Sequence, residues 1–189
     1  MMKKYRLYLL ALVVVLQTAA LVGMVAVKHR TLLTGTPVLL KTEPVDPRSL
    51  FRGDYVVLSY AINNLAFNEL GGDEDFRSHD PVYVVLRRGE QFWEPVSAHR
   101  EMPPRAPDSV VIRGEVEYSS VRTTGVRTGR INVRYGIESY FVPEGEGREI
   151  ELPRNEGKVA ILVAVDGGGA AAIKAVLIDG VVRYEEKLF

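Results

Sequence analysis

Hydrophobic and polar positions follow two different rules along this chain. From Leu7 to Val27, twenty-one residues run without a charge, and only Tyr8, Gln17 and Thr18 interrupt the apolar character. No polar face appears at any helical period, so the segment reads as a helix with apolar surroundings on every side. At about 1.5 Å per residue it spans roughly 30 Å, the thickness of a hydrocarbon core. After it, the pattern becomes one of short stretches with a period of two. Val56, Leu58, Tyr60 and Ile62 alternate with Tyr55, Val57, Ser59 and Ala61, which predicts a strand over 55–62 with one strongly apolar face. Val110, Ile112, Val116 and Tyr118 alternate with Arg113, Glu115 and Glu117. That is a half-exposed strand, with Gly114 as a bulge position.

Further strands are predicted over 38–41, 82–86, 91–98, 131–135, 159–165, 170–178 and 181–184. Residues 159–165 are nearly all apolar and suit a strand covered on both faces. Tight turns are expected at 87–90, 166–169 and 179–180, where glycine supplies the required backbone freedom. Two short helical pieces are expected: a turn over 63–70 that covers Leu65, Phe67 and Leu70, and a helix within 148–157 kept short by Pro153. Residues 102–107 hold three prolines and form a rigid connector. The sum is a mainly β, β-rich α+β chain: an antiparallel sheet or small partly open barrel, preceded by one N-terminal transmembrane helix. The organisation is an anchor over 1–30 with basic flanks, a short stalk over 31–36 and a β-rich domain over 37–189. Its predicted core is Val56, Leu58, Tyr60, Ile62, Val84, Ile112, Val116, Ile161, Val163 and Leu177.

Charge and composition sharpen the setting. A chain of 189 residues suggests one domain beside the anchor. It contains no cysteine, which excludes disulfides, thiolate metal sites, cysteine nucleophiles and a lipidated N-terminal cysteine. The formal net charge is zero, but the first thirty residues contain five bases (Lys3, Lys4, Arg6, Lys28, Arg30) and no acid. The rest has nineteen basic and twenty-four acidic residues, a net charge of minus five, which argues against nucleic acid as a partner. Lys3, Lys4, Arg6 and the amino terminus outweigh Lys28 and Arg30, so the positive-inside rule sets the N-terminus in the cytoplasm. The chain then reads as a single-pass protein of the cytoplasmic membrane, touching the bilayer through Leu7 to Val27, with the domain outside. A cleaved leader is the competing reading. Its apolar region would be shorter, and Thr18-Ala19-Ala20 makes a poor cleavage site.

Two stretches combine charge, proline, glycine and tyrosine. The first runs from Pro44 to Ile62 through Gly53-Asp54-Tyr55-Val56-Val57-Leu58-Ser59-Tyr60; the second is Tyr135-Gly136-Ile137-Glu138-Ser139-Tyr140-Phe141-Val142-Pro143-Glu144-Gly145-Glu146-Gly147. Gly53 and Asp54 are suited to turning a chain into a strand. The spacing Gly53-Asp54-Tyr55-x-x-Leu58-x-Tyr60 resembles the GDYxxLxY family of small bacterial membrane-anchored proteins, and the second stretch is similar to that family's other shared block. The resemblance extends from about Thr36 to the end of the chain. It implies a cellular setting and a multi-spanning membrane protein as partner, but no mechanism. It singles out Gly53, Asp54, Tyr55, Leu58, Tyr60, Tyr135, Gly136, Glu138, Tyr140, Pro143, Glu144 and Gly145 as motif residues, with a structural or a functional role.

Catalytic and ligand-binding patterns are sparse. His29, His79 and His99 are the only histidines, and none has a partner at metal-ligand spacing, so neither a metal nor a cofactor is expected. Asp73-Glu74-Asp75 lacks the spacing of a calcium loop and reads as a solvated acidic loop. Arg122, Arg127 and Arg130 lie in a loop able to attract an anion or lipid headgroup, without a phosphate-binding glycine pattern. Trp93 reads as core or rim. Asp54 and Glu138 would serve acid–base work only if the fold brought them together. Leu50-x-x-Gly53-Asp54-x-Val56 also resembles a stretch of type I signal peptidases, which implies a membrane-anchored hydrolase as the alternative function. The nucleophilic serine of those enzymes would fall at Val45, and Ser49 is at the wrong offset. Valine cannot attack a carbonyl. The reading is therefore a non-enzymatic, extracytoplasmic interaction or accessory subunit of an envelope complex.

Overall fold

The computed structural model describes residues 2–44, 55–68, 70–120, 129–142, 150, 151, 153, 154 and 156–186. The apolar segment is part of one helix, α1 (Met2–Thr34). Residues Tyr8–Thr34 are long and apolar enough to cross a membrane, with a mean hydropathy of 2.5. The apolar stretch is not buried against the domain. Thr31 to Thr34, the first part of the expected stalk, form the last turn of α1. The exit at Gly35 needs a glycine. Its N–H donates to the Thr31 carbonyl at 2.9 Å, and a Cβ there would lie 2.5 Å from that carbonyl oxygen and 2.9 Å from the Val165 nitrogen.

The strands follow in order: β1 (Thr36–Glu43), β2 (Tyr55–Val57), β3 (Ser59–Tyr60), β4 (Asn64–Ala66), β5 (Gly71–Gly72), β6 (Pro81–Arg88), β7 (Trp93–His99), β8 (Ser109–Ser119), β9 (Arg130–Arg134), β10 (Ser139–Phe141), β11 (Val159–Val165), β12 (Ala171–Ile178) and β13 (Val181–Glu185). They form a five-stranded sheet in the order β13-β12-β11-β1-β3, a six-stranded sheet in the order β4-β9-β8-β6-β7-β5, and the pair β10-β2. The pairing is antiparallel apart from the short β5–β7 contact. The chain is thus mainly β, with a curled half-barrel and antiparallel sheets behind one apolar N-terminal helix.

Alternation decides which faces meet. Val82, Val84 and Leu86 of β6, Ile112 and Val116 of β8, and Ile131 and Val133 of β9 are buried on one side of the larger sheet. Val38 and Leu40 of β1 and Ile161 and Val163 of β11 oppose them in the same core. In β11, six of seven residues are buried, as expected for a central strand under both a helix end and a core.

Four expectations need correction. The predicted strand over 55–62 is interrupted at Leu58 and gives way to a 3₁₀ turn at Ala61–Asn63. The expected helical turn over 63–70 is instead β4, held by pairing of Asn64–Ala66 with β9; tertiary pairing overrides local preference here. Leu65, Phe67 and Leu70 are nevertheless buried, with Phe67 stacked on Phe76 at 5.8 Å. The bulge in β8 lies between Val116 and Tyr118, not at Gly114. Gly114 has another role: a Cβ would come within 2.4 Å of Val133 and 3.0 Å of the Tyr135 ring. Finally, Leu177 is only half-buried. A bulge in β12 at Lys174, where Leu162 pairs with Ala175 but Val163 with Ile173, turns Val176 inward, fully buried, in its place. The other nine predicted core residues are buried. Helical backbone does occur at Ile150, Glu151, Pro153 and Arg154.

Candidate functional site

The two tyrosine-containing stretches meet in space. Strands β2 and β10 pair with Val57 opposite Ser139, Val56 opposite Tyr140 and Tyr55 opposite Phe141. One residue further, the Leu58 N–H donates to the Glu138 carbonyl at 2.8 Å. The Tyr60 hydroxyl, fully buried, donates to the Ile137 carbonyl at 2.6 Å. The Tyr135 hydroxyl crosses in the opposite direction and donates to the Ile62 carbonyl at 2.8 Å. Each stretch therefore supplies a tyrosine that satisfies a carbonyl of the other, in a region too dry to leave one unpaired.

Asn63 and Glu138 complete this clasp. The Asn63 amide oxygen accepts from the Tyr60 N–H at 2.6 Å, and its nitrogen donates to the Val133 carbonyl at 2.6 Å and to Glu138 Oε1 at 3.3 Å. Glu138 Oε1 also accepts from the Tyr135 N–H at 2.6 Å, and Oε2 from the Gly136 N–H at 2.8 Å. Gly136 has a φ of +78°, which the turn from β9 to β10 requires and which glycine adopts without strain. Burial foremost, and the Glu138 charge after it, push the Tyr60 and Tyr135 hydroxyls well above their ordinary pKa of 10.0. Both are neutral donors at neutral pH. Tyr140 is buried with its ring 6.4 Å from that of Tyr184. Arg154, also buried, donates from Nη1 to the Val57 carbonyl; burial lowers its pKa below the ordinary guanidinium range.

Gly53, Asp54, Pro143, Glu144 and Gly145 lie outside the described residues, as do Val45, Ser49, Arg122 and Arg127. The Asp54–Glu138 pairing thus lies outside them too, while the Glu138 carboxylate is occupied by backbone N–H groups. Arg130 opens β9, exposed. Asp73 and Asp75 gather with Asp80 around Arg100, which meets Asp75 at 3.0 Å and Asp80 at 2.8 Å and donates its N–H to Asp73 at 2.8 Å. Trp93 is partly buried against the core. Among the described residues no group of three or more histidine, aspartate or glutamate side chains is placed to hold a metal.

A second polar region, with no sequence motif, lies where α1 joins the domain. The hairpin turn between β11 and β12 is organised by Asp166. Its Oδ1 accepts from the Gly168 and Ala170 N–H groups at 2.8 and 3.0 Å, and its Oδ2 accepts from the buried Thr31 hydroxyl of α1 at 2.8 Å. Burial acts to raise the Asp166 pKa, but the Thr31 hydroxyl, these two N–H groups and the Arg30 charge outweigh it and hold the carboxyl below 3.8. The same turn reaches the larger sheet through the Arg113 N–H, which donates to the Gly169 carbonyl at 2.8 Å. Lys28 reaches over it to the Ala171 carbonyl at 3.3 Å.

Beside this junction opens a cleft of about 610 Å³ whose walls include Lys28, His79, Arg113, Glu115 and Arg134. Glu115 meets His79 Nδ1 at 2.9 Å and Arg134 at 3.6 Å. His79, and to a lesser degree Arg134, lower the Glu115 pKa from 4.5. A smaller groove of about 280 Å³, lined by Leu32, Ile137 and Ile173 among others, adjoins the cleft at Lys28 and Gly136. Sequence reading missed this region because its walls come from α1, β8, β9 and the β11–β12 turn. It also missed Asn63; the signal was a pair of asparagines set between Ile62 and Leu65.

The sequence model of the GDYXXLXY protein family matches residues 17–176. The chain belongs to that family. No curated protein and no solved structure matches it.

Proposed function

We propose that this GDYXXLXY protein is a single-pass protein of the cytoplasmic membrane, with its N-terminus inside and its β domain outside. It works there as an interaction or accessory subunit of an envelope complex, beside a multi-spanning membrane protein, without chemistry of its own. The observation that carries this reading is the occupation of the described motif side chains. Tyr60 and Tyr135 are neutral and bonded to carbonyls, and Glu138 is saturated by N–H groups. Catalysis needs a group able to exchange a proton or attack within reach of a substrate, and these are committed to holding two segments together. The placement of α1 supports the membrane part: its apolar stretch is unburied, and its last turn is fixed to the domain through Thr31 and Gly35. A domain so attached is held at the bilayer in one orientation, as a subunit seated on an integral membrane partner must be.

The test is mild crosslinking of the full chain in native membranes, followed by detergent extraction and identification of what is captured. One integral membrane protein recovered reproducibly is the expected result. A chain recovered alone under the same conditions contradicts the reading.

A further inference from the structure

We infer that the cleft at the outer end of α1 is a binding site for the phosphate of an anionic lipid headgroup, held by Lys28 and Arg113. Its position comes first. Lys28 is the first charged residue after the apolar run, so in a spanning helix its ammonium group lies at the bilayer surface. The cleft that it lines is therefore at headgroup level, and a volume of about 610 Å³ admits a headgroup.

Charge comes second. Lys28, Arg113 and Arg134 face the single carboxylate of Glu115 across the cleft. Glu115 is engaged by His79 and Arg134, and Arg134 is shared further with Glu117 at 3.7 Å. Among the described residues no carboxylate pairs with Lys28 or Arg113. Among the described residues, the Lys28 ammonium group donates to the Ala171 carbonyl at 3.3 Å. Arg113, exposed on β8, is fixed through its backbone to Gly169 and lines the cleft. A guanidinium and an ammonium group without an ion-pair partner among the described residues match a phosphate that carries no cation of its own. This is unusual on a domain that is acidic overall.

The adjoining groove favours a lipid over a free anion. It begins at Lys28 and is walled by Leu32, Ile137, Tyr140, Phe141 and Ile173, with Ser139 and Glu186 as its polar members, so a mainly apolar path leads away from the cationic end. An amphiphile fits both halves; inorganic phosphate fits one.

The inference rests on the reading that α1 spans the membrane, and the experiment separates the two. The full chain and its Lys28→Gln, Arg113→Gln and Arg87→Gln variants are reconstituted in phosphatidylcholine vesicles and washed with alkaline carbonate. Material that washes off would overturn both readings. Retained protein is then transferred to nanodiscs containing equal phosphatidylglycerol and phosphatidylcholine, and the lipid left after gentle release is identified by native mass spectrometry. Phosphatidylglycerol should be retained preferentially. Lys28→Gln and Arg113→Gln should each weaken that preference about fivefold, and Arg87→Gln, an exposed charge on β6 away from the cleft, should leave it unchanged. Equal retention of both lipids, or equal losses in all three variants, would overturn the inference. A site filled as well by inorganic phosphate, with no lipid preference, would overturn the lipid assignment.

Discussion

Around Tyr60 and Glu138, side chains with polar atoms reach protein partners at 2.6 to 3.3 Å. In the cleft at the end of α1, neither Lys28 nor Arg113 forms an ion pair among the described residues. The first region is built from Tyr60, Tyr135 and Glu138 of the two shared blocks; the second touches the second block at Tyr135 and Gly136 but takes its charges from Lys28, Arg113 and Arg134, outside both. Residues of a shared block can thus be committed to the fold while charges outside it, Lys28 and Arg113, stay exposed. Buried hydroxyls and carboxylates that are fully paired define one fold. Charges left over at a surface are what a ligand can recognise.

The comparison breaks most visibly at Glu138. Glu138→Ala removes the acceptor for the Tyr135 and Gly136 N–H groups and for Asn63. Urea unfolding of the full chain in detergent should show a loss of about 3 kcal/mol, as for several hydrogen bonds to a charged acceptor. A change below about 0.5 kcal/mol, the range of an ordinary surface substitution, would mean that the clasp contributes little.

High pH tests the same region. The unfolded chain releases its tyrosine protons near 10.0, whereas burial and Glu138 hold those of Tyr60 and Tyr135 well above that value in the fold. The fold then binds more protons than the unfolded chain, so stability is complete below about pH 10 and falls as pH rises past it. The Tyr60→Phe, Tyr135→Phe double variant starts less stable but should lose less between about pH 9 and about pH 11. Parallel losses in the two proteins would remove the tyrosines as the cause.

The junction at Asp166 should give a smaller effect. Asp166→Ala leaves two turn N–H groups without their acceptor and returns the Thr31 hydroxyl to the Val27 carbonyl of its own helix, and should cost about 1 kcal/mol, like loss of a cap. Because the folded carboxyl titrates below 3.8, its contribution is present above that pH and is lost as pH falls through the lower folded value. Wild type and variant should therefore converge in strong acid, as thermal melts across an acid series would show.

Much of this fold was legible in the sequence. The period-two pattern marked the faces of β8, the nearly unbroken apolar run marked β11 as covered on both sides, and the charge-free run marked α1. What escaped depends on contacts between distant residues. The strand over 55–62 ends early because Asn63 bonds to Tyr60 N–H and to residues 70 and 75 positions away. Leu177 gave way to Val176 through a bulge that no composition marks. The candidate site was less legible still. The two tyrosine blocks could be seen separately, but their joining could not, since Tyr60 and Ile137 are 77 positions apart. The cleft brings α1 together with β8 and β9, and neither Lys28 nor Arg113 sits in a motif.

The most direct test of the account is Tyr60→Phe in the full chain, with unfolding free energy and crosslinked partner capture measured on the same preparation. The account predicts a loss of about 1 kcal/mol, as for one buried hydroxyl contact, with capture per folded molecule unchanged. Full stability with capture abolished would contradict it and make the motif a recognition surface.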